Sequence, residues 1–513
     1  MAATDKFTIG ALSAAKSVNE KINIARNIFI KIDPIVKIVG FYHIMPKNLE
    51  GKFMSDFAKL PLDLQMLENI KSLGYLEMTD IQEIALPRAL DGVDLIVQAK
   101  TGSGKTAIFG LGIISKINIS NQNPQALILC PTRELAAQVA SSLRKFARHK
   151  PNVKILELCG GMPMKPQIAS LEFGAHVLVA TPGRFDDHWS KGTLKLDDIS
   201  TFVLDEADKM LDMGFVDEIS KIASNIPAKR QTMLFSATFP PKIKQFSSQI
   251  LNNPEFLKTA TVHSNTKIEH HFFEAGDIDV ADAVDKVLSK FNPKSAIIFC
   301  NTKIESNELT SALVAKKHSA ICLNGDLDQF ERNETIIRFS NKSIAILVCT
   351  DVASRGLDID GIDLVVNINL PNDNEVYIHR AGRSARKEEA KGICVTILQN
   401  ENFDKFEQIK KSFDAEFEIN DIRSFGAIKS KPISASKFTL VISSGKKNKI
   451  RAGDILGALV NEASIDAGKI GKIDVTDFRS YVSLENDCAK NLNKLNRELK
   501  IKGKIVKFFR FSY

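Results

Sequence analysis

Short apolar runs recur along the chain, and each is closed by a polar cluster. Asp94–Gln98, Ala126–Cys130, Val177–Ala180, Thr201–Leu204 and Thr232–Phe235 are built almost wholly from Leu, Ile, Val, Phe and Ala. Runs this short and apolar predict strands buried on both faces. Helical periods separate them. Asp63–Leu73 predicts an amphipathic helix ended by Gly74, Thr79 is placed to cap another, and Ile108, Leu111 and Ile114 share a face of Ala107–Ile117. A break is expected near 255–270, after which the pattern restarts with Ala296–Cys300, Ala320–Leu323, Ala345–Cys349 and Leu364–Ile368. Strands alternating with helices predict parallel α/β sheets, which hold ligands at their carboxyl edges.

From 437 the order changes. Strand 438–443, helix 452–463, strands 470–476 and 479–485, helix 487–499 and strand 503–511 follow the β-α-β-β-α-β, ferredoxin-like plan used by RRM modules. Gly426 and Pro432 in the polar stretch before it predict a linker. The expected organisation is therefore an N-terminal extension (1–53, with Met54 as an alternative start), a first α/β domain (54–262), a second (263–424), a linker (425–436) and an α+β tail (437–513).

Charge sharpens this picture. The net charge is +8, yet Lys437–Tyr513 holds 16 Lys+Arg against 8 Asp+Glu, which leaves 53 of each upstream. A neutral body with a cationic tail implies a polyanion held by the tail. The seven cysteines are scattered and never form a CxxC pair, so reduced thiols in a reducing, cytoplasmic compartment are expected. No apolar window is long enough for a membrane span, and the acidic Asp5 start argues against a secretory signal.

The chemistry concentrates at the ends of the predicted strands. Ala99-Lys100-Thr101-Gly102-Ser103-Gly104-Lys105-Thr106 lies between a strand and a helix, the setting of a phosphate-binding loop. Gly102 and Gly104 let the backbone N–H groups turn inward, Lys105 can reach the terminal phosphates, and the Thr106 hydroxyl suits Mg²⁺. Asp205 ends an apolar strand and qualifies as a second holder of Mg²⁺, through water. Glu206 is then the candidate for orienting or deprotonating the attacking water. Arg383 and Arg386, three residues apart, suit arginine fingers supplied by the second sheet, although a basic run equally suits a solvated face. A nucleoside triphosphate is the expected ligand.

In this order these motifs resemble the DEAD-box RNA helicases, over about Phe57–Ile397. The resemblance implies two tandem RecA-like domains, ATP as the nucleotide, and an RNA-dependent ATPase that opens short duplexes. It implies adenine contacts for Phe57 and Gln82, and contacts joining ATP to RNA within Asp351–Asp358, including Gly356 and Asp358. It assigns coupling of hydrolysis to strand opening to Asp208, Ser236, Thr238, His379 and Arg380. RNA contacts are implied for Pro131, Thr132, Arg133, Gly160, Gly161, Thr181 and Arg184 in the first lobe, and for Gly325, Gln329, Arg332 and Thr350 in the second. Met78, Asp80, Ala381 and Ala385 depart from the commoner family residues.

The tail is similar to the C-terminal RNA-binding domain of DbpA-type helicases, through Gly445–Lys447, Lys449–Leu459, Ile470–Ile473 and Ile501–Lys504. Its candidate RNA residues are Lys446, Lys447, Lys449, Arg451, Lys502 and Lys504. The RRM stacking signature is only partly met, because Leu484 stands where an aromatic is expected beside Phe478 and Tyr481. The tail's resemblance implies a hairpin of large-subunit ribosomal RNA and the pre-ribosomal particle as partners. Rival readings are an ATP-timed RNA clamp that does not unwind, and a DNA translocase.

Overall fold

The computed structural model describes residues 56–99, 102–259, 268–351, 361–371, 374–384, 392–399, 403–413, 417–426 and 428–511. Among the site residues expected above, Lys100, Thr101, Gly356, Asp358 and Arg386 lie outside them.

The first lobe is a parallel sheet of β1 (Leu95–Gln98), β2 (Ala126–Leu129), β3 (Ile155–Leu158), β4 (Val177–Ala180), β5 (Thr201–Leu204), β6 (Gln231–Ser236) and β7 (Glu255–Lys258), in the order β3-β4-β2-β5-β6-β1-β7. Alternation of side chains builds two cores from one sheet. Ala126 and Ile128 of β2 pack on one face, Leu127 and Leu129 on the other, and all four are buried. Helices cover both faces, so the strands read as unbroken apolar runs.

The second lobe holds β8 (Ile268–Glu274), β9 (Ala296–Cys300), β10 (Ala320–Leu323), β11 (Ile346–Thr350), β12 (Leu364–Ile368), β13 (Gly392–Leu398) and β14 (Ile419–Asp421). Its order, β10-β11-β9-β12-β13-β8-β14, repeats the first sheet strand for strand. The chain thus has two RecA-like parallel-sheet domains.

The tail is an antiparallel sheet of β15 (Lys437–Ile442), β16 (Ile470–Val475), β17 (Ser480–Glu485), β18 (Glu498–Ile501) and β19 (Lys504–Arg510), in the order β16-β17-β15-β19-β18. Phe438, Leu440, Ile442, Val482 and Leu484 turn to its own core. The helix expected over 487–499 is not continuous. Only Ala489–Leu492 is α-helical, flanked by 3₁₀ turns, and Asn496 and Arg497 take left-handed φ of 45° and 63° that turn the chain into the β18–β19 hairpin.

The opposite face of the tail sheet is buried too, because it sits on the second lobe. Ser483 Oγ donates to Asn341 O (2.8 Å), the Thr439 and Ser343 hydroxyls meet at 2.7 Å, and Tyr481 OH donates to Glu334 Oε1 at 2.8 Å. Arg479 pairs with the same carboxylate at 3.0 Å. The expected linker is strapped down as well. Ile433 N donates to His318 Nδ1, and Ser430 Oγ donates to Asp285.

Candidate functional site

Seven helices position the chemistry: α1 (Asp80–Asp91), α2 (Lys105–Lys116), α3 (Arg133–Phe146), α4 (Ala207–Asp212), α5 (Gln329–Ser340), α6 (Asn374–Ala381) and α7 (Ala452–Asn461). The loop between β1 and α2 is clamped from two sides. Ala99 N donates to Ser236 O (2.9 Å), while Thr79 Oγ1 donates to Ser103 O (2.8 Å). Gln82 is buried, accepts from Thr79 N and donates to Gly104 O (3.0 Å). A Cβ on Gly104 would lie 2.2 Å from Gln82 Nε2, and φ is +86° there, so both space and backbone demand glycine. Phe57 is buried edge-on against Tyr75. Of the two expected adenine contacts, Gln82 braces the loop at Gly104 and Phe57 packs on Tyr75.

Lys105 is buried at the start of α2, its Nζ donating to Ala99 O (3.0 Å). Asp205 lies at the end of β5, its Oδ1 accepting from Glu206 N at 3.1 Å. Burial pushes the Asp205 carboxyl up to about 6, against the opposing pull of Lys105; the nearby Glu206 adds to the rise. The buried Asp205 carboxylate offers the hard oxygen donors that Mg²⁺ takes, with the Lys105 ammonium close enough to oppose its protonation. Glu206 takes a left-handed conformation (φ 53°, ψ 52°) at the turn into α4, and its carboxylate pairs with Lys209 at 2.9 Å.

Asp208, at the first turn of α4, reaches the end of β6. Its Oδ2 accepts from Ala237 N (3.0 Å), Thr238 N (3.0 Å) and Thr238 Oγ1 (3.2 Å). Burial alone would raise its carboxyl, but Lys105 and the hydrogen bonds hold it below the usual range. The acidic turn and the 236–238 segment are therefore one hydrogen-bonded unit.

The second lobe faces this unit through α6. His379 is lowered first by burial and next by Lys209, while Asp208 and Glu206 pull it back. Residues of one lobe thus act electrically on a side chain of the other. Arg383 sits just beyond α6, its carbonyl accepting from Ile362 N. Arg380 turns inward instead. It is 2% exposed and grips Asp351 with two bonds (2.6 and 2.7 Å), with Asn301 and Asn367 close by.

Some of the residues expected to touch RNA meet at the seam where the two lobes face each other. Thr132 caps α3, and Arg133 passes over the Gly160–Gly161 turn, where a Cβ on Gly161 would lie 1.7 Å from Arg133 Nη1. Arg133 Nη1 donates to Gln329 Oε1 across the seam (2.7 Å), and Arg332 Nε pairs with Glu134. Glu134, which the sequence reading left out, is the first lobe's anchor for α5. Pro131 is buried two residues before Arg133, Thr181 precedes the helical turn holding Arg184, and Arg184 Nη1 donates to Met162 O (2.8 Å). Thr350 ends β11, and exposed Gly325 lies against Lys303.

In the tail, Lys446, Lys447, Lys449 and Arg451 are exposed at the entry to α7, and Lys502 and Lys504 lie in the β18–β19 turn. Lys502 Nζ joins the two groups by donating to Lys449 O (3.0 Å) and pairing with Asp454 (2.8 Å). Tyr481 and Leu484 are withdrawn, the first onto the second lobe and the second into the core.

Comparisons with known proteins follow the same division. Residues 79–246 match the DEAD/DEAH box helicase family, 279–388 the helicase conserved C-terminal domain, and 439–508 the DbpA RNA binding domain. The ATP-dependent RNA helicase DbpA of Escherichia coli (strain K12) is 44% identical over 438 residues, which cover 85% of this chain and 95% of that protein. The chain belongs to the DEAD-box RNA helicases. The helicase is also 36% identical to the ATP-dependent RNA helicase DbpA of Bacillus subtilis (strain 168), over 88% of this chain and 99% of that one. Dbp5 of S. cerevisiae bound to RNA and ADP BeF3 superposes with a TM-score of 0.66 at 30% identity, covering 72% of this chain and 97% of that chain. This helicase is thus an ATP-dependent enzyme acting on RNA. Among the described residues, no helix is long and apolar enough to cross a membrane, and no cluster of His, Cys, Asp and Glu forms a metal site. The seven cysteines are free, as expected.

Proposed function

We propose that this helicase opens short RNA duplexes locally, and that its tail directs it to a hairpin of large-subunit ribosomal RNA during ribosome assembly in the cytoplasm. The observation that carries the reading is the seam. The acidic turn Asp205–Asp208 faces His379, while Arg133 and Glu134 meet Gln329 and Arg332 along the same opening. The Ala99–Thr106 loop with Gln82 and Phe57 would hold ATP, and Thr106 and Asp205 would hold Mg²⁺. When bound, the metal would supply charge neutralisation for the transferring phosphoryl group. Lys105 binds the terminal phosphates, Glu206 positions the water, and Arg383 with Arg386 reaches in from the second lobe. Asp208, Ser236 and Thr238 report the state of the acidic turn to the RNA seam. His379 joins that relay; Arg380 supports it by fixing α6 to Asp351. Sequence-blind contacts to phosphate and sugar come from Arg133, Gln329 and Arg332 at the seam and from Pro131, Thr132, Gly160, Gly161, Thr181, Arg184, Gly325 and Thr350.

Binding specificity is placed in the tail, at Lys446, Lys447, Lys449, Arg451, Lys502 and Lys504. Domain limits follow as 54–262, 263–424 and 437–513, joined by 425–436. The test is strand displacement on a short duplex carrying the ribosomal hairpin. Glu206→Gln should lose displacement and ATP turnover while keeping hairpin binding. ATP turnover without displacement in the unaltered protein would favour the clamp instead, and equal stimulation by single-stranded DNA the translocase.

A further inference from the structure

The helix Met164–Glu172, which follows the Gly160–Gly161 turn, buries one residue alone, and that residue is polar: Gln167, 7% exposed. A surface helix ordinarily buries an apolar stripe, and a buried amide is tolerated only where its hydrogen bonds are made. Gln167 makes them. Its Nε2 donates to Cys159 O (3.1 Å), Arg184 Nη1 donates to its Oε1 (3.1 Å), and His188 Nε2 meets the same oxygen at 2.9 Å. These partners fix which way the amide points. The opposite orientation would set its NH2 group against the Arg184 guanidinium and its oxygen against the Cys159 carbonyl. His188 is itself buried, with Nδ1 2.9 Å from Thr193 Oγ1, so the acceptor side of the network is held from behind.

The partners belong to two separate elements. Cys159 follows β3 and directly precedes Gly160–Gly161, whereas Arg184 and His188 lie on the helix Pro182–Ser190, which begins just after β4 and Thr181. Strands β3 and β4 are neighbours in the sheet. Beyond their ends, Gln167 is a buried side chain that touches both elements, the donor holding one and the acceptor the other. Arg184 adds a bond of its own to exposed Met162, in the same turn (2.8 Å). An apolar side chain of equal size would fill the space and hold neither element.

We propose that Gln167 is a positioning residue for RNA, setting the Gly160–Gly161 turn and Arg184 at a fixed spacing so that both meet one stretch of RNA backbone. This rests on the turn and Arg184 being RNA contacts. A spacing set in advance lowers the ordering cost of binding, so Gln167 acts on RNA affinity and not on the phosphate chemistry at Lys105 and Glu206.

The test is ATP turnover of the full chain stimulated by poly-uridine RNA, with the KM for RNA compared against kcat and the KM for ATP. Gln167→Met keeps the length of the side chain and loses all three bonds. It should raise the KM for RNA about tenfold, the scale of one hydrogen bond to a charged group. The KM for ATP, and kcat at saturating RNA, should stay within about twofold, the scatter of independent sites. Gln167→Glu keeps an acceptor for Arg184 and His188 but offers Cys159 O no donor, so its KM for RNA should fall between the other two. In an Arg184→Gln background the effect of Gln167→Met should shrink, because the acceptor has already lost its cationic partner; a residue serving the fold alone would keep its full effect there. An unchanged KM for RNA in both Gln167 variants overturns the proposal. So does an equal change in the KM for ATP or in kcat, or an effect undiminished in the Arg184→Gln background. Arg184→Gln alone separates the positioning role from the contact it rests on. A raised KM for RNA there, with none in Gln167→Met, rejects the positioning role and keeps the contact. No change in Arg184→Gln rejects the contact, and the positioning role with it.

Discussion

Removing Glu134 should cost this helicase the closed arrangement of its lobes. The Glu134 and Arg332 side chains are only 11% and 13% exposed, so each stays largely desolvated when its partner is lost. Charge pairs across interfaces couple by about 1.5–7 kcal/mol, and breaking a buried one costs about 3–5 kcal/mol. The residual exposure on both sides puts this pair near the lower end, at about 2 kcal/mol, or roughly 30-fold in the closing equilibrium. The neighbouring Arg133–Gln329 bond is not a separate increment, because residues in one network do not add. The measurement is a double-mutant cycle of Glu134→Gln and Arg332→Met, read by energy transfer between dyes on the two lobes with RNA and a non-hydrolysable ATP analogue. Each single variant should open the lobes, and the double should open them less than the sum. A coupling below about 0.5 kcal/mol, the scatter of independent sites, would refute the argument. So would a coupling that vanishes at high salt, since a pair this sheltered is weakly screened.

Two further outcomes follow from burial. Arg380→Met leaves Asp351 beside a vacated pocket and should destabilise the second lobe by about 3 kcal/mol, at the low end because Asp351 is 29% exposed; thermal unfolding of the full chain should show that lobe's transition alone moving down, and Arg380→Lys should recover only part of it. Asp205 is raised to about 6 in the fold, so between its ordinary value and 6 the folded state holds the proton more often than the unfolded state. Without metal, stability should therefore fall as pH rises through that window. Mg²⁺ affinity should weaken as pH falls below 6, measured as the Mg²⁺ dependence of ATP turnover; a flat profile there would place the metal on other groups.

Much of the fold is written locally. β2, β4, β5, β9, β11 and β12 are apolar on both faces, and their residues read as strands because nothing else buries such short runs. β3, β7, β8 and β14 were not legible, since Glu157, Lys258, His270, His271 and Asp421 interrupt them and they lie at or near sheet edges. The second tail helix misled for another reason. Its leucines and lysines keep a helical spacing, but asparagines at 486, 491, 493 and 496 favour turns and left-handed backbone over helix interior. The phosphate loop and acidic turn were legible because one local motif supplies each. Glu134 was not, because its role depends on α5 arriving from nearly two hundred residues away. Neither was the fate of the tail sheet, whose Thr439, Tyr481 and Ser483 look like a half-exposed strand pattern until the second lobe covers them.

Helix α5 touches both neighbours: Gln329 and Arg332 engage the first lobe, and Glu334 engages the tail. Its 12 residues make a rod of about 18 Å. A tail on a slack tether would let the motor work on any duplex within reach. Mounted on this rod, under the proposed targeting, it would work like a jig: where the tail grips its target would fix which base pairs, a set distance away, are offered for opening.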